Sequence, residues 1–289
     1  MALSPTVSGA LLGILGFAFY SVYDVGAKVL GWSYHPFQII AMTSLFVLPM
    51  MMLYAMLDRE PGSLRPNRPG LMALRCVMTV INFTGGVSTF TLLPMSEAYV
   101  ILFSTPLMIA LIAVPVLGEK LDGVRIVAVL LGLGGVIYAL DPTTTSPGLG
   151  HACALVGSLA GAVNFVLVRK TGSVERMSVM LLWPQLTLLA VISATMPLYY
   201  QPMQLGDLGI GLGMALAYIL GTMALLAAYR KAAAVVVAPM HYSQIVWGAL
   251  GGALLFNEPQ SSRIFLGAAL VALAGVLVVT RQNRSAAKA

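Results

Sequence analysis

Apolar residues run through this chain in blocks of about 20, broken by single charges, Pro and Gly rather than by polar stretches. A block of that length crosses a hydrocarbon layer about 30 Å thick as one helix. Breaking the chain at these points predicts ten spans, at about 7–28, 36–57, 70–92, 95–117, 123–141, 148–169, 177–198, 206–228, 233–256 and 261–280. Membrane β-strands would alternate apolar and polar residues at period two, and these blocks do not. The pattern predicts an all-α membrane protein.

Composition points the same way. Of 289 residues, 59% are hydrophobic and only 9% charged, against about 25% charged in an ordinary soluble domain. The net charge of +6 is spread singly between apolar blocks, which reads as topology control rather than nucleic-acid binding. With the N-terminus inside, all of the 16 Lys and Arg except Lys28 and Arg263 fall on the inner side. A miscounted helix would mix the two sides, so both termini are expected in the cytoplasm of a bacterial inner membrane. The first block reads as a retained helix, not a cleaved signal. Short loops leave no room for a soluble domain, and Cys76 and Cys153, near opposite faces, are not expected to pair.

The halves resemble each other at an offset of about 139 residues. One helix, Gly118-Glu119-Lys120 and a helix ending in Gly134-Gly135-Val136-Ile137 answer to a helix, Asn257-Glu258-Pro259 and a helix ending in Ala274-Gly275-Val276-Leu277. Five spans per copy is odd, so the copies are expected to be inverted, as in secondary transporters working by alternating access. The expected domains are a first repeat over 1–141, a second over 148–280 and a basic tail over 281–289.

Ser96-Glu97-Ala98 and Ser104-Thr105-Pro106 leading to Gly118-Glu119-Lys120, with Ala238-Pro239 leading to Asn257-Glu258, resemble the EamA-type members of the drug/metabolite transporter superfamily. Within it the chain is most similar to YddG-type exporters of aromatic and other amino acids. Arg75 and Ser96-Glu97-Ala98 are also similar to a subgroup that moves riboflavin or S-adenosylmethionine. The resemblance implies a ten-helix fold of two inverted five-helix repeats and export of neutral amino acids and related metabolites. The halves depart from each other where Ile245 stands in place of Pro106.

Polar groups inside a span need a partner, a wet cavity or a substrate. Arg75, Thr79, Asn82, Gly86 and Thr89 form one polar face of the third span. Asn82 is expected in a cavity wall and Arg75 as a cytoplasmic anchor. In the first span Gly9 and Gly13 allow close packing, and Tyr20 lines the path beyond them. Asp24, the lone carboxylate well inside a span, either couples transport and binds a cation or pairs with Lys28 four residues on. The ninth span opens with Pro239, His241, Tyr242, Ser243, Gln244 and Trp247, and the fourth offers Tyr99, Phe103, Ser104 and Pro106. Expected substrate contacts are therefore Tyr20, Asn82, Tyr99, Phe103, Asn164, Trp183, Tyr218, His241, Tyr242, Gln244 and Trp247, with Asp24 and His241 as coupling candidates. Gly209, Gly213, Ala217 and Gly221 read as a packing stripe, and Pro106 and Pro184 should free carbonyls for a cavity.

The function classes narrow accordingly. There is no Walker A pattern, His-Glu-x-x-His, Cys-x-x-Cys or Gly-x-Ser-x-Gly, and the three His are scattered. No enzyme activity, cofactor, metal or nucleic-acid partner is expected. The leading reading is a monomeric, lipid-embedded carrier of a small amino-acid-like molecule. The alternatives are a cationic drug exporter and a riboflavin or S-adenosylmethionine carrier; the outsiders are a non-transporting scaffold and an embedded enzyme.

Overall fold

The computed structural model describes residues 4–58, 63–92, 101–102, 104–118, 123–140 and 148–244, with scattered positions between 246 and 274. The helices are α1 Pro5–Leu30, α2 Pro36–Leu57, α3 Pro69–Leu92, α4 Thr105–Leu117, α5 Gly123–Leu140, α6 Leu149–Thr171, α7 Met177–Ser193 and α8 Leu205–Lys231. A turn of helix, Met196–Tyr199, follows α7; after α8 a short helix, Ala234–Val237, runs into a 3₁₀ segment, Ala238–Ser243. Among the described residues no strand occurs. Helices α1, α2, α3, α6 and α8 are long and apolar enough to cross a membrane. The tenth predicted span lies largely outside the described residues, as do Glu97, Tyr99, Phe103, Glu119 and Glu258.

Local chemistry sets the helix ends. α1, α2 and α3 each begin at Pro, at a position where a missing N–H loses no intrahelical bond. Ser4 accepts from Val7 N at 3.3 Å, and Gly118 closes α4 at φ 67°, a left-handed conformation open to Gly at little cost. The C-termini of α6 and α8 cap one another. Arg169 Nη1 donates to Tyr229 O at 2.9 Å and Arg230 O at 3.1 Å, and Arg230 Nε donates to Gly172 O at 2.6 Å. The buried Glu175 carboxylate accepts from Asn67 N and Arg68 N at 3.0 and 2.7 Å, capping α3. Arg176 pairs with Asp58 at 3.2 Å, and Ser178 Oγ donates to the same carboxylate. At the opposite end Tyr34 donates to Asp207 at 2.6 Å, and Gln38 exchanges two hydrogen bonds with the backbone of Gln201.

Two continuous predicted spans are interrupted. The fourth turns at Ser104, and α4 starts at Thr105 with Pro106 in its first turn. Pro106 offers no N–H to Leu102 O, so the Thr105 hydroxyl donates there instead. Ile101 O accepts from Ser104 Oγ at 2.6 Å and Ser158 Oγ at 3.4 Å. These carbonyls are spent on hydroxyls, not offered to a cavity. The ninth opens on the short helix Ala234–Val237 and turns there into the 3₁₀ segment Ala238–Ser243, which carries Pro239.

Packing is densest where α1 meets α8 and where α3 meets α6, while α2 lies on α8 as α7 lies on α3. Replacing each helix by the one five places along reproduces this pairing. Glycines make the close contacts. A Cβ on Gly16 would sit 3.1 Å from Gly221 O, and one on Gly85 would sit 2.9 Å from both Gly157 Cα and Cys153 O. The expected stripe on α8 is corrected in part: Gly221 packs on α1, but Gly209 and Gly213 have nothing within 4 Å. Apolar side chains such as Leu212, Leu216 and Leu220 instead cover the outward face of α8.

Gly85→Ala should lower the melting temperature of the purified protein, costing about 1–3 kcal/mol because its Cβ meets backbone that cannot swing aside. Gly209→Ala should be neutral or stabilising by up to about 1 kcal/mol, the helix-propensity gain alone.

Candidate functional site

Helices α1, α3, α6, α7 and α8 and the 3₁₀ segment enclose a cavity of about 230 Å³. Its aromatic wall comes from chain regions far apart in sequence. Phe17 of α1 stacks on His241 with ring centroids 4.4 Å apart and planes 9° off parallel. Tyr20 lies near-parallel to Tyr218 of α8 at 6.0 Å, and Tyr23 and Phe83 tilt against Tyr218 at 5.9 and 5.5 Å. The Tyr20 hydroxyl is 3.1 Å from Thr222 Oγ1. Such a wall offers π faces to a flat or cationic ligand.

The polar side is organised by the packing itself. Asn82 Nδ2 donates to Gly157 O at 2.9 Å, and Gly161 leaves the room its amide fills: a Cβ there would stand 2.7 Å from Nδ2. Asn82 therefore both lines the cavity and ties α3 to α6. Asn164 Oδ1 accepts from Arg75 Nε at 3.0 Å. Arg75 Nη1 donates to Met180 O, the carbonyl that an N–H at Pro184 would otherwise have taken, four residues on. Across the cavity Asp24 Oδ2 accepts from Gln244 Nε2 at 3.2 Å. Gln244, and not Lys28, is the hydrogen-bond donor on Asp24 among the described residues.

Of the candidate residues, Tyr20, Asp24, Asn82, Asn164, Tyr218, His241 and Gln244 are brought together around this cavity. Others are directed elsewhere. Trp183 is 41% exposed and donates its indole N–H to Leu64 O at 2.9 Å. The Tyr242 ring fills the space over Gly132 of α5, and its hydroxyl donates to Val129 O at 3.3 Å. Trp247 is not in the lining either, and its buried Nε1 has no acceptor among the described residues. Tyr99 and Phe103 lie outside the described residues.

Arg75 overturns its expected role as a cytoplasmic anchor: it is 5% exposed and lines the cavity. Its four-residue spacing to Thr79, on the face that holds Asn82, was the signal for this. Gln185, a candidate wall residue from its place beside Pro184, does line the cavity. Phe17 gave no signal, because one Phe in an apolar block carries no polarity to mark its direction.

The chain resembles known transporters along its length. The model of the EamA-like transporter family matches residues 7–140. An S-adenosylmethionine uptake transporter of Rickettsia prowazekii (strain Madrid E) is 24% identical, over 98% of this chain and 96% of that protein. A riboflavin transporter of Rhizobium johnstonii is 23% identical over 77% of this chain and 74% of its own length. One solved crystal structure superimposes with a TM-score of 0.82 at 16% identity, covering 96% of this chain and 98% of that one, a likeness of fold alone. The first half of the chain thus matches the EamA-like transporter family and the named relatives are transporters, so the chain is a multi-pass membrane transporter of a small molecule rather than an enzyme.

Proposed function

We propose that this chain is a secondary carrier of S-adenosylmethionine or a close chemical relative, a small molecule joining a cationic centre to a flat ring. The observation that carries this is the half-buried Asp24 set among Phe17, Tyr20, Tyr23 and Tyr218 in one cavity. A sulfonium or ammonium centre is stabilised by a carboxylate and by π faces together, and the near-parallel Tyr20 and Tyr218 rings suit a flat heterocycle. Relatives named for S-adenosylmethionine uptake align along nearly the whole chain, which supports this reading over the amino-acid export implied by the YddG-type resemblance. The riboflavin reading is second, favoured by the flat aromatic wall and by the Rhizobium relative.

The same reading takes the fold as ten helices in two inverted repeats, over 1–141 and 148–280. The exchange of helix partners at five places along, and the matched glycine contacts of Gly16 with Gly221 and Gly157 with Gly85, support it. The cavity lies within one chain, so a monomer suffices for alternating access. The Lys and Arg distribution supports a reading with both termini in the cytoplasm of an inner membrane. Asp24 receives the cationic centre, with Gln244 as its gatekeeper and His241 as the ring closing that wall.

Counterflow in proteoliposomes tests the assignment. Labelled S-adenosylmethionine should accumulate in vesicles preloaded with unlabelled S-adenosylmethionine and not in those preloaded with riboflavin or phenylalanine. Exchange with phenylalanine alone would move the assignment back to amino acids, and exchange with riboflavin alone would move it to the flavin. Within the same assay, Tyr218→Ala should lower uptake by about tenfold, the scale of one lost cation–π contact in a desolvated site. Trp183→Phe, outside the lining, should leave uptake as it is.

A further inference from the structure

Arg75 is a buried cation in a membrane bundle with no carboxylate paired to it among the described residues. Two of its nitrogens are committed: Nε to Asn164 Oδ1 at 3.0 Å and Nη1 to Met180 O. Nη2 makes no hydrogen bond among the described residues. Both of its acceptors are neutral, so the guanidinium is oriented without its charge being cancelled. Leaving such a charge in hydrocarbon is costly unless an anion reaches it.

A second group in the same cavity lacks its partner. Gln185 is 2% exposed, lines the cavity, and its Oε1 accepts no hydrogen bond among the described residues. A buried acceptor without a donor loses its full desolvation cost until a donor arrives. A cation wanting an anion and an acceptor wanting a donor are complementary to an α-amino acid group, carboxylate on Arg75 and ammonium on Gln185.

We infer that Arg75 is the carboxylate anchor of the substrate, Gln185 accepts from the substrate's ammonium, and Pro184 is a positioning residue that holds Arg75 in place. Pro184 acts by subtraction: lacking an N–H, it leaves Met180 O open to Arg75 Nη1. The substrate class is thereby narrowed to molecules with an intact α-amino acid terminus, the rest of the molecule extending toward Asp24 and the tyrosines. This inference rests on the cavity being the transport site proposed above.

Three matched pairs of probes test it, each an amino acid and its decarboxylated counterpart: S-adenosylmethionine and decarboxylated S-adenosylmethionine, phenylalanine and phenethylamine, tryptophan and tryptamine. Binding is measured by equilibrium dialysis on the purified full chain in lipid nanodiscs. The wild type should prefer the carboxylated member of the pair that binds by about 30-fold or more, the scale for a buried hydrogen-bonded charge pair. Arg75→Gln should abolish that preference mainly by weakening the carboxylated member. Asn164→Asp puts a carboxylate on the guanidinium, and should weaken the acid while sparing or strengthening the amine. Pro184→Ala returns an N–H to Met180 O, and should reduce the preference without lowering the melting temperature.

A wild type that binds both members equally, or variants that weaken both members alike, would overturn the inference while leaving the cavity as the substrate site. A preference confined to the phenylalanine or tryptophan pair, and lost in Arg75→Gln, would uphold it and overturn the S-adenosylmethionine assignment. Absence of binding for every pair would overturn both.

Discussion

A backbone carbonyl in hydrocarbon must find its donor inside the chain, because no water is there to supply one. Pro106 and Pro184 create that demand beside the cavity, and most of the site follows from how it is met. At Pro106 the hydroxyl of Thr105 takes Leu102 O, and Ser104 and Ser158 share Ile101 O. At Pro184 the carbonyl of Met180 takes Arg75. The same deficit is filled by a neutral hydroxyl in one place and by a guanidinium in the other. Only the second brings a charge into the centre of the bundle.

Small residues make this arrangement compact. Gly16 against Gly221 and Gly85 against Gly157 bring two pairs of helices to backbone contact, where dispersion replaces the hydrophobic force that lipid does not provide. With those pairs closed, the larger side chains are displaced to the ends of each contact. Tyr20 lies next to Gly221, and Asn82 fills the space left by Gly161. The cavity wall is the complement of the glycine contacts.

Much of this was legible from the residues alone, and the failures have physical causes. Helical spacing put Tyr20 and Asp24 on one face and Asn82 with Thr79 on another, and those faces do turn inward, because a polar face has nowhere else to go. Aromatic residues carry no such obligation. Trp183 and Tyr242 satisfy their polar tips on backbone carbonyls and point away from the cavity. Arg75 was misplaced because it sits about one turn into its span, where an arginine ordinarily reaches back to the membrane surface. What turned it inward was a carbonyl more than a hundred residues away, a relation that no local pattern contains.

The 3₁₀ segment Ala238–Ser243 has a mechanical corollary. A 3₁₀ turn rises about 2.0 Å and rotates about 120° per residue, against about 1.5 Å and 100° in an α-helix. Rewinding six such residues into α form would shorten the segment by about 3 Å and unscrew whatever follows it by about 120°. Gln244 is the next residue, so the amide that holds Asp24 rides on the end of a short torsion spring. Stretch and twist in this strip of chain are thus one coordinate, and the Asp24 carboxylate is fastened to its end.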